Sequence, residues 1–159
     1  MSHFSSRVLV LGLGNDLLAD DAVGILAARR LANELSGNVD VVESPLSGVA
    51  LLEHFLGFER AIVIDAIRTG VHPPGTIVEL DPAELDAIPA PSPHYAGFPE
   101  LVTLARELDL AFPSVVKILA VEVVDLHTIG GGLSPVVEEA LPRLVERVKQ
   151  QVALWSQSP

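Results

Sequence analysis

Two adjacent carboxylates, Asp20 and Asp21, close a segment, Val8–Gly24, that reads VLVLGLGNDLLADDAVG. An apolar run leads into Gly12-Leu13-Gly14, then Asn15, a short apolar link, the two acids and a helix start. A strand that turns through glycines toward a helix start is how an α/β protein builds a polar site at its sheet edge. A phosphate site at that place would want backbone N–H groups and no negative charge. The acids suit a cation instead. A third carboxylate, Asp65, follows the buried-type run AIVI, and a histidine, His94, stands after Ser92-Pro93 in a proline-rich stretch. Two carboxylates and one imidazole make a hard-to-borderline metal site with open positions, suited to Zn²⁺, Ni²⁺, Mn²⁺ or Fe²⁺.

Each of these residues also has an ordinary role open to it. Asp20 or Asp21 can cap a helix and oppose its macrodipole. An Asp after a strand can bind loop N–H groups, and a His between prolines can simply face solvent. Glu43 resembles Asp65 in placement, at the end of a strand, and can line the same cleft. His3, His54, His72 and His127 receive no role, although His127 precedes the Gly130–Gly132 turn.

The elements that must position these groups alternate along the chain. Strands are predicted at Arg7–Leu13, Val39–Val42, Arg60–Ile64, Thr76–Leu80 and Val115–Val124. Helices are predicted at Asp21–Leu35, with Asp20 as N-cap, then Ser47–Leu56 and Glu100–Leu108. A last helix opens at Ser134-Pro135, with Val137, Leu141, Leu144, Val145, Val148 and Val152 as its apolar stripe. Pro142 is expected to kink that helix or split it near Leu141. Pro82 to Pro99 reads as a long irregular segment, of the kind that often carries function. In an open parallel sheet, ligands sit outside the carboxyl ends of the strands, where Asp21 and Asp65 fall.

Composition narrows the function classes. The chain has 159 residues, which suits one domain spanning 1–159 with a full core. It is 49% hydrophobic with one Trp and one Tyr, so aliphatic residues build that core. A net charge of −11 argues against nucleic acid as a partner. The absence of Cys excludes disulfides, thiolate metal sites and cysteine nucleophiles within the chain. No leader pattern and no bilayer-length apolar run is found, so a cytoplasmic monomer without membrane contact is expected. Position 17 is Leu rather than the third glycine of a dinucleotide fingerprint, the loop has no phosphate-binding Lys, and no Gly-x-Ser-x-Gly elbow exists.

Taken together, Gly12, Gly14, Asn15, Leu17, Asp20 and Asp21, the Asp65-Ala66 pair, His94 after Ser-Pro and the Leu133-Ser134-Pro135 helix start resemble the hydrogenase maturation endopeptidases. The similarity runs over nearly the whole chain. It implies an α/β fold with a twisted, five-stranded, mostly parallel sheet sandwiched between helices. It implies an endopeptidase that removes the C-terminal extension of a nickel–iron hydrogenase large-subunit precursor after nickel insertion. Asp21, Asp65 and His94 then carry the metal-contacting and catalytic role, with Asn15, Asp20, Glu43 and Gly48 facing the substrate. Many members carry an Asp-Gly-Gly-Thr-like segment where this chain has Glu43-Ser44-Pro45-Leu46-Ser47-Gly48, which bears on which hydrogenase is the partner. Two Asp and a His without thiolates should hold nickel only modestly, so the metal is expected to arrive on the substrate's own cysteines. No organic cofactor is expected. Two alternatives remain: a non-catalytic metal-binding or scaffolding module of the same fold, and a peptidyl-tRNA hydrolase-like esterase. The latter shares Gly-Leu-Gly-Asn but continues with Pro-Gly and a nearby His, both absent here.

Overall fold

A computed structural model describes residues 7–87, 94 and 98–157. Five strands form one sheet: β1 (Val8–Leu13), β2 (Val39–Ser44), β3 (Arg60–Ile67), β4 (Ile77–Leu80) and β5 (Val115–Glu122), in the spatial order β2-β1-β3-β5-β4. All neighbours are parallel except β4, which runs antiparallel to β5. The helices are α1 (Val23–Glu34), α2 (Leu52–Phe55), α3 (Phe98–Glu107) and α4 (Pro135–Gln157).

The central strands are buried along their length, so both faces need cover. Alternate residues of β1, β3 and β5 feed two cores. Val10, Ile62, Ile64 and Val121 meet Val23, Ala27 and Leu31 of α1 and Val137, Leu144 and Val148 of α4. On the other face Leu9, Leu11, Val63 and Ile118 meet Leu51, Phe55 of α2, and Phe98 and Leu101 of α3. The result is the expected layered α/β architecture.

Several local expectations are corrected. Gly12 lies within β1, as the predicted strand Arg7–Leu13 has it, and its role there is packing: a Cβ would stand 2.3 Å from the Gly24 carbonyl oxygen. Gly24 in turn faces the carbonyl oxygens of Leu13 and Ile64, at 2.3 and 2.6 Å from an added Cβ. Only a glycine pair lets α1 sit this close to the sheet. Helix α1 starts at Val23, after a 3-10 turn at Ala19–Ala22, and neither acid caps it through its side chain. Strand β3 continues to Ile67, so Asp65 is inside the strand. The predicted second helix is a 3-10 turn, Gly48–Leu51, continuing into α2. Pro142 does not split α4, because its buried stripe of Ala140, Leu141, Leu144 and Val145 holds both sides of the proline against the sheet. Of the irregular segment, Pro82–Ala87 is a 3-10 helix and Pro99 falls in the first turn of α3. Pro89, Pro91, Ser92 and Pro93 lie outside the described residues.

The chain leaves β1 for β2 on one side and later places β3 on the other. That reversal between β1 and β3 is a topological switch point, where a crevice opens beyond the strand ends. The last β1–β3 pair is Gly12 with Ile64; Asp65 pairs with Ala120 of β5 alone. Asp65 is therefore the first β3 residue past the end of its β1 pairing.

Candidate metal centre

Asp21, Asp65 and His94 come together at this switch point. One ligand atom from each can be chosen so that all lie within 4.8 Å of one another, and all three residues are buried. Asp21 arrives on the 3-10 turn after β1, Asp65 on β3, and His94 from the segment before α3. The His94 Nε2 stands 3.3 and 3.4 Å from the two Asp21 carboxylate oxygens, and its Nδ1 lies 3.3 Å from the Leu46 carbonyl oxygen. One Asp65 oxygen accepts the Ala66 N–H at 2.8 Å.

Both imidazole nitrogens thus face acceptors, a setting only the protonated ring satisfies in full. Burial alone would lower the His94 pKa, but the Asp21 hydrogen bond and the charges of Asp65 and Asp21 outweigh it and raise the value to about 9. A cation is what this pocket of two carboxylates asks for, and a proton on His94 supplies one. A divalent ion would supply it better. The Leu46 carbonyl would then keep the proton on Nδ1 and leave Nε2 free to ligate, the arrangement that orients ligating histidines generally. The donor set fits a hard-to-borderline divalent metal.

The neighbouring residues sort differently from expectation. Asp20 is fully buried, and its carboxylate has partners of its own. One oxygen accepts N–H bonds from Val124 (3.2 Å) and Asp125 (3.0 Å) and the Ser134 hydroxyl (2.8 Å); the other accepts the Ser134 N–H (2.6 Å). Asp20 therefore ties both ends of the 124–134 loop to the turn that carries Asp21, and it does so as a fully buried group. Gly48 is also buried, with φ +58°, and it begins the turn packed under α3 rather than lining a surface. Asn15 uses its side-chain oxygen to accept the Leu17 N–H at 2.9 Å, shaping the turn. Glu43 is gripped by Arg29, whose guanidinium also reaches Asp16 at 2.9 Å. Those bonds, Glu43's first, raise the Arg29 pKa. Asn15 and Glu43 do share a small cavity of about 220 Å³, with Gly14, Ser44 and Pro45.

Two groups escaped the sequence reading. The Leu46 carbonyl orients His94 from a loop with no distinguishing side chain. Glu122, buried at the end of β5, accepts the Thr69 N–H at 2.8 Å and the Thr69 hydroxyl, anchoring the loop after β3. An acid ending an apolar strand was visible there as it was for Asp65. Larger grooves, about 700 and 640 Å³, lie under α3 and between β4 and α4, away from the cluster. Chemistry marks this site, not volume.

A doubly covered, mostly parallel sheet with a buried Asp–Asp–His cluster at its switch point defines an α/β protein built around a metal-competent centre. A family model described as hydrogenase maturation protease matches residues 24–151. The chain is 30% identical to the hydrogenase 2 maturation protease of Escherichia coli strain K12, over 89% of this chain and 88% of that protein. It is 30% identical to the hydrogenase expression/formation protein HupD of Thiocapsa roseopersicina, over 92% of this chain and 68% of that protein. Among solved structures, the hydrogenase maturating endopeptidase HybD from E. coli superposes with a TM-score of 0.78 at 30% identity, covering 89% of each chain. The [NiFe] hydrogenase maturation protease HybD from Thermococcus kodakarensis gives 0.70 at 29% identity, covering 91% of this chain and 98% of that one. The chain belongs to the hydrogenase maturation protease family, and it is a peptidase. No described helix is long and apolar enough to cross a membrane.

Proposed function

We propose that this peptidase removes the C-terminal extension of a nickel–iron hydrogenase large-subunit precursor, and that it reads the precursor's nickel through Asp21, Asp65 and His94. The observation that carries the reading is the convergence of those three buried residues, with donor atoms within 4.8 Å, at the switch point of the sheet. The chain has no cysteine, so its own donor set is hard to borderline. A nickel held on substrate thiolates, with open coordination positions, would find its missing ligands here. Docking of that kind would fix the adjoining peptide against the cleft, and positioning can lower a barrier by several kcal/mol, up to about 7–11 in well-oriented cases.

Peptide hydrolysis needs a base to take a proton from the attacking water and an acid to protonate the leaving amine. Two carboxylates and an imidazole within one buried cluster supply both roles. Asp65 stands inside a strand and accepts the Ala66 N–H. His94 comes from the loop side, hydrogen-bonded to Leu46 and Asp21. Family membership and the charge of −11 both disfavour the esterase alternative, and nothing observed favours a scaffold without activity.

The test is conservative substitution at each position: Asp21→Asn, Asp65→Asn and His94→Gln, followed by mass spectrometry of nickel-loaded precursor after incubation. Each variant should fold and leave the extension attached. Full cleavage by any of the three removes that residue from the site.

A further inference from the structure

Exposed apolar side chains concentrate at one end of this molecule. Among the described residues ten large hydrophobics are exposed. Six of them, Leu17, Leu46, Val49, Val71, Val124 and Ile129, lie on segments that follow the carboxyl ends of β1, β2, β3 and β5. That is the end where Asp21, Asp65 and His94 meet. Apolar side chains scattered singly need no explanation, but several on one rim mark an interaction surface.

Leu17 and Ile129 form the firmest part of this rim. They are 65% and 82% exposed. Their loops are joined by backbone: Leu18 and Ile129 form an antiparallel bridge, and the Gly130 N–H donates to the Leu17 carbonyl at 2.9 Å. The loop bearing Ile129 is also held from within. Asp125 accepts the Thr128 hydroxyl and the N–H groups of His127 and Thr128, at 2.8 and 3.0 Å, and Asp20 ties down both loop ends. Two aliphatic side chains are thereby kept in water on a braced support, although nothing prevents the loop from carrying polar residues there. From Thr128 to Ser134 the loop carries no charge, in a chain whose net charge is −11.

The cluster itself is buried, and a specific protein–protein interface buries about 800 Å² on each partner, far more than three side chains supply. That area has to come from the rim. We propose that Leu17 and Ile129 are an apolar anchor pair that seats an apolar patch of the folded large-subunit precursor beside the metal centre. This rests on the reading of the chain as the protease that processes that precursor. Because the anchors stand on the turn leading to Asp21 and on the loop braced by Asp20, docking there brings the precursor to the end of the sheet that holds the cluster.

The experiment measures binding and cleavage separately. Leu17→Glu and Ile129→Glu are made beside Leu108→Glu, an exposed apolar residue at the opposite end of the sheet, and melting temperatures confirm that all three fold. Affinity for nickel-loaded precursor is measured by titration, and KM and kcat by the release of the extension. Leu17→Glu and Ile129→Glu should each weaken binding and raise KM by about tenfold or more, as central interface anchors do, with kcat at saturation unchanged and Leu108→Glu silent. Unchanged affinity in both rim variants overturns the proposal, as does equal weakening by Leu108→Glu. It is overturned too if the protease alone is a dimer that Ile129→Glu dissociates, since a second copy then covers the rim. A precursor that binds through Ile129 yet is never cut supports the anchor and refutes the processing reading.

Discussion

Asp20 and Asp21 are neighbours with opposite tasks, and substituting each by Asn should separate them. The Asp20 carboxylate is fully buried and accepts four hydrogen bonds, three from backbone N–H groups and one from the Ser134 hydroxyl. Asn keeps one acceptor oxygen but turns an NH₂ toward donors, so at least one donor faces another donor. Breaking a buried charged network costs about 3–5 kcal/mol, and lone bonds to charged groups about 1.5–3 each. Asp20→Asn should therefore lose about 3–5 kcal/mol, a large share of the roughly 5–15 kcal/mol that holds a domain. That corresponds to a melting temperature lowered by roughly 10 °C or more at this chain length. Asp21 is different: its carboxylate partners His94, which can shed its proton when the opposing charge is removed. Asp21→Asn should melt clearly above Asp20→Asn and yet leave precursor uncut. Differential scanning calorimetry and a cleavage assay on the same preparations decide it. A variant Asp20→Asn that melts like the wild type but cannot cleave would refute the division and return Asp20 to the functional groups.

Titration of His94 gives a second outcome. Its pKa is raised to about 9 in the folded protein, against about 6.5 unfolded, so its stabilisation is complete below about pH 6.5 and is lost as pH rises through 9. Urea unfolding between pH 6 and 10 should show a decline of about 3 kcal/mol that His94→Gln lacks. Divalent metal competes with the same proton, so nickel binding by the protease alone, followed by calorimetry, should strengthen with pH up to about 9 and then level. Gly24→Ala should cost about 3 kcal/mol or more in a urea melt, because the new methyl meets the Leu13 and Ile64 carbonyl oxygens at 2.3 and 2.6 Å. A wild-type melt in that variant would show that α1 can retreat without loss. Glu43→Gln should shift the melting temperature little, since exposed ion pairs contribute about 0–1 kcal/mol, while changing the relative rates on precursors of different hydrogenases. Unchanged ratios would remove Glu43 from partner choice.

How far the sequence carried this account depends on the range of the interactions involved. The alternation of apolar runs and helix signals located all five strands, and Asp21, Asp65 and His94 stood out by position, two acids at the carboxyl ends of strands and a histidine in a proline-rich stretch. The aliphatic composition suited buried parallel strands, and the family resemblance implied the helices on both faces. What failed was set by contacts between distant residues. Asp20 looked like a helix cap because its partners, Val124, Asp125 and Ser134, lie more than a hundred positions away. The packing role of Gly12 went unread because Gly24, the residue it accommodates, is on another element. The extra residues of β3 beyond Ile64 were invisible because the pairing that extends it is with β5 alone. The role of Leu46 belongs to its backbone, so no residue type could announce it.

The central claim is that Asp21, Asp65 and His94 read a metal presented by the substrate. The most direct measurement is cleavage of matched large-subunit precursors, nickel-loaded and nickel-free, by excess protease, with the released extension quantified by mass spectrometry. The account predicts release from the loaded precursor only. It also predicts no rescue when free nickel is added to the protease with a precursor whose metal-binding cysteines are replaced. Equal release from loaded and nickel-free precursor would contradict it.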